Sequence, residues 1–436
     1  MENCLSLLTR LLLLLCFAQA APAVATAENW PGWRGPRSDG TSLDKDVPTE
    51  WDGVSGKNVA WKTRVPGVGH ASPIVWDDRI FTVTCDEEAE DRLLLCFDRR
   101  SGKLLWQRVA VNAPLEKKHR LNSHASSTPA TDGELVYVSF IEADPDAPVD
   151  KSESKYKDKL ATAGWMVVAA YDFEGNRRWL VRPGAFSSCH GYCSPPLLFD
   201  DLVIVNGDHD GASYFVALDR TTGETVWKVP REYGIRSYTP PIIREAAGRT
   251  QMVLSGSQRV SSYNPRTGKL HWWIEGPTEQ YVASLVYNGR YFFLTAGFPT
   301  YHAMAIRPDG SGDVTDTAVV WRTTKGCAYV PSPIIAGRGK YYLVVADDGV
   351  ASCFEAETGH RYWMERIGPH YSASLVEAEG LVHFLSDEGV TTIIRPGPQF
   401  DVVAENHLGE SCYASPAISH GHIYFRGEEH LICIGP

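Results

Sequence analysis

The chain has 436 residues, of which 43% are hydrophobic, 11% aromatic and 22% charged, and its formal net charge at pH 7 is −11. This acidity argues against a nucleic-acid partner, because phosphate binding needs a basic stripe and the sequence has none. The chain has 38 Gly and 27 Pro residues and no long segment of helical periodicity outside the first twenty residues. Both features favour an all-β protein with many turns.

Residues 1–21 have the pattern of a secretory signal peptide. Arg10 precedes the apolar run 11–17, and Ala18-Gln19-Ala20 has the small-x-small pattern of a cleavage site. The apolar run is too short to span a bilayer, and no other transmembrane span is visible. Lipid attachment at Cys16 is an alternative, although Leu15 stands where a small residue is expected. We expect an exported, soluble mature chain, periplasmic or extracellular, and leave an association with the outer membrane open.

From residue 72 onward the chain repeats a short strand that opens with Ser or Thr, followed by Pro in six of eight cases. The openings are Ser72, Thr128, Ser194, Thr239, Ser284, Ser332, Ser374 and Ser415. Successive openings are 56, 66, 45, 45, 48, 42 and 41 residues apart. A period of about 40 to 50 residues made of short strands indicates one four-stranded propeller blade per repeat, because a single blade cannot bury both of its faces alone.

Each repeat has a second landmark, in which an apolar strand leads to an acidic or amide residue, a Thr-Gly or Ser-Gly turn and a Trp. The clearest segments are LCFDRRSGKLLW, VALDRTTGETVW, SSYNPRTGKLHW and SCFEAETGHRYW, which end at Trp106, Trp227, Trp272 and Trp363. Divergent copies end at Trp179 and Trp321. We predict that the Gly takes a positive-φ position between the third and fourth strands, and that the Trp packs against the neighbouring blade as a structural residue.

The two ends of the chain complete this scheme. The last repeat supplies three strands up to Pro436, whereas NVAWKTRV around Trp61 is a Trp strand with no blade before it. The sequence therefore predicts an all-β fold over residues 22–436, a single domain that forms an eight-bladed β-propeller of four-stranded antiparallel blades. The N-terminal strand is predicted to complete the eighth blade and close the ring. Blade seven is the weakest repeat, since Val403 stands at the Trp position.

Eight of the ten cysteines remain after residues 1–21 are removed. Cys96, Cys353 and Cys433 have the same position in three repeats, so we expect small buried core residues. Two local disulfides are conceivable in an oxidising compartment, Cys85 with Cys96 and Cys189 with Cys193. The spacing matches no zinc site, and we expect no metal.

Two insertions break the even spacing of the repeats, and acidic runs recur at one turn within them. The charged insertion 142–164 is predicted to be a solvated loop, and the connection 116–129, with the basic run KKHR at 117–120, is interpreted as a plain connector. The acidic runs, which align with one another, are Asp208-His209-Asp210-Gly211, Asp347-Asp348-Gly349 and Asp387-Glu388-Gly389. We interpret these runs as turns between second and third strands rather than as metal ligands.

The loops that lead into the first strands converge at one mouth of the channel, because those strands line the channel. Their side chains are polar and aromatic: His70, His124, His190, Tyr192, Arg236, Tyr238, Tyr281, Tyr329, Tyr371 and Tyr413. This ring could bind a small polar or sugar-like ligand by stacking and hydrogen bonding. The alternative is that the tyrosines pack between inner strands and hydrogen-bond the backbone. The catalytic residues stay unknown, since no triad, paired carboxylates or dinucleotide fingerprint stands out.

The segments ALDRTTGETVW and CFDRRSGKLLW resemble the pyrroloquinoline-quinone (PQQ) type of propeller repeat, and the resemblance covers nearly the whole mature chain. Quinoprotein alcohol dehydrogenases and BamB-type outer-membrane assembly proteins share this repeat. The opening WPGWRGPRSDG, with NSHASSTP and HGYCSPP, is similar to exported BamB-like members. The resemblance implies a non-catalytic binding scaffold for an envelope protein or a glycan, and we expect a monomer without a cofactor.

Two alternatives stay open. A PQQ-dependent dehydrogenase would bind the quinone and Ca²⁺, and the resemblance then implies adjacent cysteines beside the quinone, whereas Cys189 and Cys193 are separated by three residues. The chain also has no haem-attachment CxxCH motif. A carbohydrate-binding or carbohydrate-active propeller is the other alternative, favoured by the Tyr and Trp content and by the polar mouth.

Overall fold

The computed structural model describes residues 27–150, 152 and 161–436, so the predicted signal peptide and Cys16 lie outside the described residues. The described chain forms eight sheets arranged as the blades of a propeller. This architecture confirms the predicted fold class.

The strands are numbered in chain order, and two of them precede the first repeat, β1 (Thr41–Ser42) and β2 (Val59–Arg64). The strands of blades one to four are β3 (Ile74–Trp76), β4 (Arg79–Asp86), β5 (Asp91–Asp98), β6 (Leu104–Asn112), β7 (Ala130–Thr131), β8 (Leu135–Ala143), β9 (Thr162–Asp172), β10 (Arg177–Ser188), β11 (Leu197–Phe199), β12 (Leu202–Gly207), β13 (Tyr214–Asp219), β14 (Thr225–Pro230), β15 (Ile242–Ala246), β16 (Arg249–Gly256), β17 (Arg259–Tyr263) and β18 (Leu270–Glu275). The remaining strands are β19 (Val286–Tyr287), β20 (Phe292–Ala296), β21 (His302–Ile306), β22 (Gly312–Asp313), β23 (Val319–Thr323), β24 (Ile334–Ala336), β25 (Tyr341–Val345), β26 (Val350–Glu355), β27 (Arg361–Arg366), β28 (Val376–Ala378), β29 (Leu381–Leu385), β30 (Val390–Arg395), β31 (Asp401–His407), β32 (Ala417–Ser419), β33 (His422–Arg426) and β34 (His430–Ile434).

The N-terminal strand closes the ring, as predicted. β2 pairs antiparallel with β34 and places Trp61 opposite Cys433, so it is the fourth strand of blade eight. Two blades have one additional short parallel strand. β22 lies beside β18 at the outer edge of blade four, and β1 lies beside β28 at the channel side of blade seven.

In blades two, six, seven and eight, the Ser or Thr that opens the inner strand links its blade to the preceding one. The Ser72 amide donates to Thr128 Oγ1 at 3.1 Å, which connects blade one to blade two. The amides of Ser284, Ser332 and Ser374 donate to the hydroxyl of the next opening Ser at 2.9 to 3.0 Å. Because a buried N–H needs a partner, the hydroxyl at this position satisfies the inner strand of the preceding blade. The most regular feature of the sequence is therefore structural.

Trp side chains connect the outer parts of the blades. Trp61 of blade eight donates from Nε1 to the Arg99 carbonyl of blade one at 3.0 Å. Equivalent bonds to the following blade are made at 2.9 to 3.0 Å by Trp106, Trp179, Trp227, Trp321 and Trp363. Gly102, in the turn that accepts Trp61, has φ +68°, and a Cβ there would lie 2.4 Å from the Trp61 ring. The turn glycine is thus required both by its φ, as predicted, and by the Trp packed on it.

The contact between blades seven and eight uses a different Trp. Blade seven has Val403 at the usual position, and blade eight has no turn to receive a Trp because its third and fourth strands are β34 and β2. Trp51, from the segment before β2, is buried between these blades instead. Its ring stacks on His383 and lies 5.8 Å from the Phe425 ring.

The cysteines of the described chain are free thiols. Neither of the two conceivable disulfides, Cys85 with Cys96 or Cys189 with Cys193, is formed. In the β4–β5 ladder Cys85 lies opposite Arg92 and Cys96 opposite Phe81, so the first two thiols do not face each other. Cys96, Cys353 and Cys433 are fully buried in third strands, which confirms their predicted core position.

The N-terminal residues 28–42, which we name the plug, enter the channel at the end opposite the mouth. The inner strands run from the mouth toward this end, and the plug contacts their far ends. The Thr131 amide donates to the Pro31 carbonyl at 2.8 Å, and β1 of the plug pairs with β28. The conspicuous segment WPGWRGPRSDG therefore lies inside the ring.

Two plug side chains reach the start of the inner strands. Trp33 Nε1 donates to Ser284 Oγ at 3.0 Å. Arg34 is buried, and its Nη2 donates to the Pro333 carbonyl at 2.7 Å and to the Leu375 carbonyl at 3.3 Å. A single segment thus connects blades five, six and seven from within.

Candidate functional site

The mouth of the channel contains the loops into the inner strands and the turns between second and third strands. Of the ten predicted site residues, those partly exposed are His70, His190, Tyr329 and Tyr413. Those that are buried are His124, Tyr192, Arg236, Tyr238, Tyr281 and Tyr371. The structure therefore divides the predicted ring into a set that a ligand can reach and a set that supports it.

Two of the buried tyrosines take the structural role that the sequence left as the alternative. The Tyr281 hydroxyl donates to the Gly276 carbonyl at 2.7 Å, and the Tyr371 hydroxyl donates to the Ile367 carbonyl at 3.0 Å. Burial raises the pKa of both phenols, that of Tyr371 to about 12, so both stay protonated donors. Tyr192 is likewise internal, and its hydroxyl donates to Ser139 Oγ at 3.3 Å.

The buried His and Arg are bound within the protein. The imidazole of His124 lies between Glu87 Oε1 and the Glu116 carbonyl, each at 2.9 Å. Arg236 Nε contacts both oxygens of Asp210 at 2.8 and 2.9 Å, and both side chains are 1% exposed. Ligand binding at the ring stays a prediction, which we now restrict to the partly exposed residues.

His70 and Tyr413 form an aromatic pair between blades one and eight. Their ring centroids are 4.6 Å apart at an interplanar angle of 29°. Burial lowers the pKa of His70 to about 4, and the charges of Arg426 and Lys118 act in the same direction. The imidazole is therefore neutral at pH 7 and stacks as an uncharged ring.

The connection 116–129 is more than the plain connector that we predicted, because it lies across blades one to three at the mouth. The His119 amide and Asn122 Nδ2 donate to the His190 carbonyl at 3.1 and 2.8 Å. The rings of His119 and His190 are 5.8 Å apart, and His190 Nδ1 lies 3.1 Å from the Tyr238 hydroxyl. The basic run 117–120 is thus fixed beside the channel opening.

The acidic runs lie in turns between second and third strands, as predicted, and they also anchor the mouth loops. Asp387 accepts the Ser372 amide at 2.7 Å and hydroxyl at 3.1 Å, and it contacts His370 Nδ1 at 2.5 Å. Because Ser372 donates to the carboxylate and not to the imidazole, these three residues do not form a nucleophile relay. Asp347 accepts the Val330 amide at 2.9 Å, and burial raises the pKa of this carboxyl.

An aromatic patch on blades five and six was missed by the sequence reasoning. It consists of Phe298 and Tyr301, which are 45% and 42% exposed, and of Tyr329 beside them. Phe298 and Tyr301 belong to GFPTY at 297–301, between β20 and β21. Blades three, six and seven have acidic residues and Gly in this turn, so two aromatic residues there were a readable signal. The patch is the most exposed aromatic surface at the mouth among the described residues.

Comparison with known proteins places the chain in a family. The family described as outer membrane protein assembly factor BamB matches residues 41–144 and 157–298, more than half of the chain. The chain belongs to this BamB family of PQQ-type propellers. No curated protein sequence matches it.

Solved structures share the fold at low sequence identity. BamB from Moraxella catarrhalis superposes with a TM-score of 0.57 and 12% identity, covering 86% of this chain and 96% of that chain. The quinohemoprotein alcohol dehydrogenase ADHIIG from Pseudomonas putida HK5 has a TM-score of 0.59 and 11% identity, covering 94% and 80%. A europium-containing methanol dehydrogenase has a TM-score of 0.50 and 11% identity, covering 93% and 89%. These likenesses concern the fold alone.

The residues at the mouth of this BamB-family propeller do not fit a quinone with Ca²⁺. Such a group needs a flat stacking surface and several unengaged oxygen ligands. His70 and Tyr413 are stacked on each other, and the carboxylates of Asp387 and Asp210 already bind His370 and Arg236. Within residues 27–150, 152 and 161–436, no group of three or more His, Cys, Asp or Glu side chains is placed to bind a metal ion.

The part of the chain that the structure describes contains no helix of the length and hydrophobicity needed to cross a membrane.

Proposed function

We propose that this protein is an exported, non-catalytic scaffold of the cell envelope that binds another protein through the aromatic patch at its mouth. Membership of the BamB family supports the envelope location, and the signal-like pattern of residues 1–21 supports export. The observation that carries the proposal is the exposure of Phe298 and Tyr301 on a turn fixed by hydrogen bonds.

The turn that presents the patch is ordered before any partner binds. The Phe298 carbonyl accepts the amides of Glu279 and Gln280 at 3.1 and 3.0 Å, and the Thr278 hydroxyl also donates to it. The Tyr329 hydroxyl donates to Gln280 Oε1 at 3.2 Å. A rigid aromatic side chain loses little conformational entropy on association. Aromatic residues are enriched among the side chains that dominate binding energies at protein interfaces.

The surroundings of the patch indicate the chemistry of the partner segment. Burial, Asp347 and Asp348 together raise the pKa of Tyr301, so two carboxyl groups lie beside the aromatic surface. Asp348 also forms an ion pair with Arg366 at 3.5 Å. Because both side chains are exposed, this pair is weak, and a basic residue of a partner can replace Arg366 beside Asp348. The patch therefore suits a partner segment with apolar side chains flanked by basic residues.

Site-specific photocrosslinking in intact cells tests this proposal. A photoreactive residue at Tyr301 should capture a defined partner, whereas the same residue at Val226, which is 52% exposed on an outer strand, should not. The purified partner should then bind Phe298→Ala/Tyr301→Ala at least about tenfold more weakly than the wild type, since each anchor contributes about 1 kcal/mol or more. Equal affinities for wild type, double variant and a Val226→Ala control would contradict the proposal.

Titration with PQQ and Ca²⁺ separates this proposal from the dehydrogenase alternative. We expect no saturable change in the quinone absorbance and no dye-linked alcohol oxidation by the purified mature chain, because the carboxylates of Asp387 and Asp210 are engaged and the His70 and Tyr413 rings stack on each other. Stoichiometric quinone binding with turnover would make the protein an enzyme and overturn the scaffold proposal.

A further inference from the structure

A cleft between blades two and three has the features of a small-molecule site. It has a volume of about 490 Å³ and lies away from the aromatic patch, between the insertion after β8 and the turn after β12. Its apolar wall consists of Pro148, Val149, Ala185, Ala212 and Pro230. Asp150, His209, Ser213, Tyr214 and Lys228 complete the lining. A cleft of this size with a mostly apolar wall and few polar groups is typical of ligand sites.

The polar part of the cleft includes a donor without an internal partner. Tyr214 is 3% exposed and lines the cleft, and its hydroxyl has no hydrogen-bond partner among the described residues. Buried hydroxyls normally have a partner, and leaving one unsatisfied is unfavourable. Burial raises the pKa of this phenol, so it stays an O–H donor over the whole physiological range. The Tyr214 hydroxyl is thus an unsatisfied hydrogen-bond donor in the lining of the cleft.

A second donor lies next to the phenol. Lys228 Nζ is 3.9 Å from the centroid of the Tyr214 ring and donates to the Pro183 carbonyl at 2.8 Å, which leaves two of its N–H groups for other acceptors. Gly184 lies against both groups, and a Cβ there would lie 2.7 Å from the phenol oxygen and from the ammonium nitrogen. Because a side chain at this position would clash with both donors, glycine allows them to lie close together against the backbone.

We propose that the cleft binds a monocarboxylate with a small apolar body, with the Lys228 ammonium and the Tyr214 hydroxyl donating to the carboxylate. Charge-assisted hydrogen bonds of this kind are shorter and stronger than hydrogen bonds between neutral groups. The apolar wall accommodates the body of the ligand. Asp150 at the cleft is itself an anion that accepts the Ser152 amide at 2.9 Å, and its charge disfavours ligands with a second carboxylate.

The insertion after β8 contributes to this site, although its sequence predicts a solvated loop. Ala147 is buried, and the Ala212 amide of blade three donates to the Asp150 carbonyl at 2.8 Å. The described part of the insertion therefore forms one side of the cleft. This site is independent of the proposed function, since Phe298 and Tyr301 lie on blade five.

Calorimetric titration of the purified mature chain with three probes tests the site. The probes are sodium phenylacetate, the tripeptide Ala-Ala-Val and the same tripeptide with a C-terminal amide. We expect one or both acids to bind with a Kd of about 1 mM or below, and the amide not to bind. Binding of phenylacetate alone identifies a free small acid as the ligand type, and binding of the tripeptide alone identifies a peptide C-terminus.

Three variants make the test specific. Tyr214→Phe and Lys228→Met should each weaken the acid at least about tenfold, because each removes one hydrogen bond to a charged group. Lys103→Met, at an exposed lysine elsewhere, should leave the affinity unchanged. Thermal melting of each variant confirms that it is folded before the titration. Absence of acid binding by the wild type, equal binding of the amide, or unchanged affinity in both cleft variants would overturn the proposal.

Discussion

The plug contacts the inner strands through buried groups inside the channel, whereas the loops at the mouth present half-exposed aromatic and charged side chains. Arg34 Nη2 binds three backbone carbonyls, of Asp39, Pro333 and Leu375. At the mouth, Phe298 and Tyr301 leave nearly half of their surface in solvent. The plug therefore stabilises the ring, and the mouth is free to carry function. Substitutions in these two regions should separate stability from binding.

The largest effect on stability is expected from Arg34→Ala in the plug. The substitution leaves buried carbonyls of Pro333 and Leu375 without their donor and opens space inside the channel. We expect the free energy of unfolding to fall by about 3 kcal/mol, since each orphaned buried group costs about 1 to 3 kcal/mol and the relief of burying a charge offsets part of it. Urea unfolding followed by Trp fluorescence measures this change.

Arg100→Ala is the matched control for that experiment. The Arg100 side chain is 73% exposed and its contact with Asp78 lies at the surface. The unfolding midpoint of this variant should stay close to that of the wild type. Equal midpoints for both arginine variants would show that the plug does not stabilise the ring.

The contact between blades seven and eight should respond to pH through His383. Burial lowers the pKa of His383 from 6.5 to about 4. Between these two pH values the unfolded chain binds a proton that the folded chain does not, so stability is complete above pH 6.5 and is lost as the pH falls toward 4. The loss due to this residue is about 3 kcal/mol. Denaturant unfolding at a series of pH values should therefore give a shallower decline for His383→Gln, and parallel curves would contradict this account.

A smaller effect is expected where a Trp packs on a turn glycine. In Gly102→Ala the new Cβ would meet the Trp61 ring at 2.4 Å, and φ is +68°. In Gly248→Ala the φ is +73° but nothing lies within 4 Å, so only the backbone strain remains. We expect losses of about 2 and about 1 kcal/mol, respectively, in the free energy of unfolding. Equal losses in thermal or urea unfolding would mean that the Trp contact adds nothing.

The features that repeat were predictable, and those that occur once were not. The inner-strand Ser or Thr recurs in all eight blades and the outer Trp in seven of them, so the number of repeats indicates eight blades and the Trp61 strand, which has no blade before it, indicates how the ring closes. Trp51 has no counterpart in the repeats, and nothing local indicates that it fills the place left by Val403. The plug likewise depends on contacts such as that of Trp33 with Ser284, which are 251 residues apart in sequence.

The candidate site was predictable in its location but not in the direction of its side chains. The sequence places Tyr281 and Tyr329 at equivalent positions, each three residues before the opening Ser, yet Tyr281 is fully buried with a hydrogen bond to Gly276, and Tyr329 is partly exposed beside Phe298. Position in a repeat fixes the backbone, whereas the neighbouring loop decides which side chains reach solvent. Loops differ between blades in length and composition, so their contacts follow no period.

The smallest effect on stability is expected from the residues proposed for binding. Phe298→Ala/Tyr301→Ala removes side chains that are 45% and 42% exposed, and the turn itself is fixed by backbone contacts of Glu279 and Gln280 that the substitutions retain. The free energy of unfolding should change by no more than about 0.5 kcal/mol, although partner binding weakens at least about tenfold. Unfolding and partner titration of the same preparation measure both quantities. If the double variant lost as much stability as Arg34→Ala, the patch would be part of the core packing, and the mouth would not differ from the plug in its role.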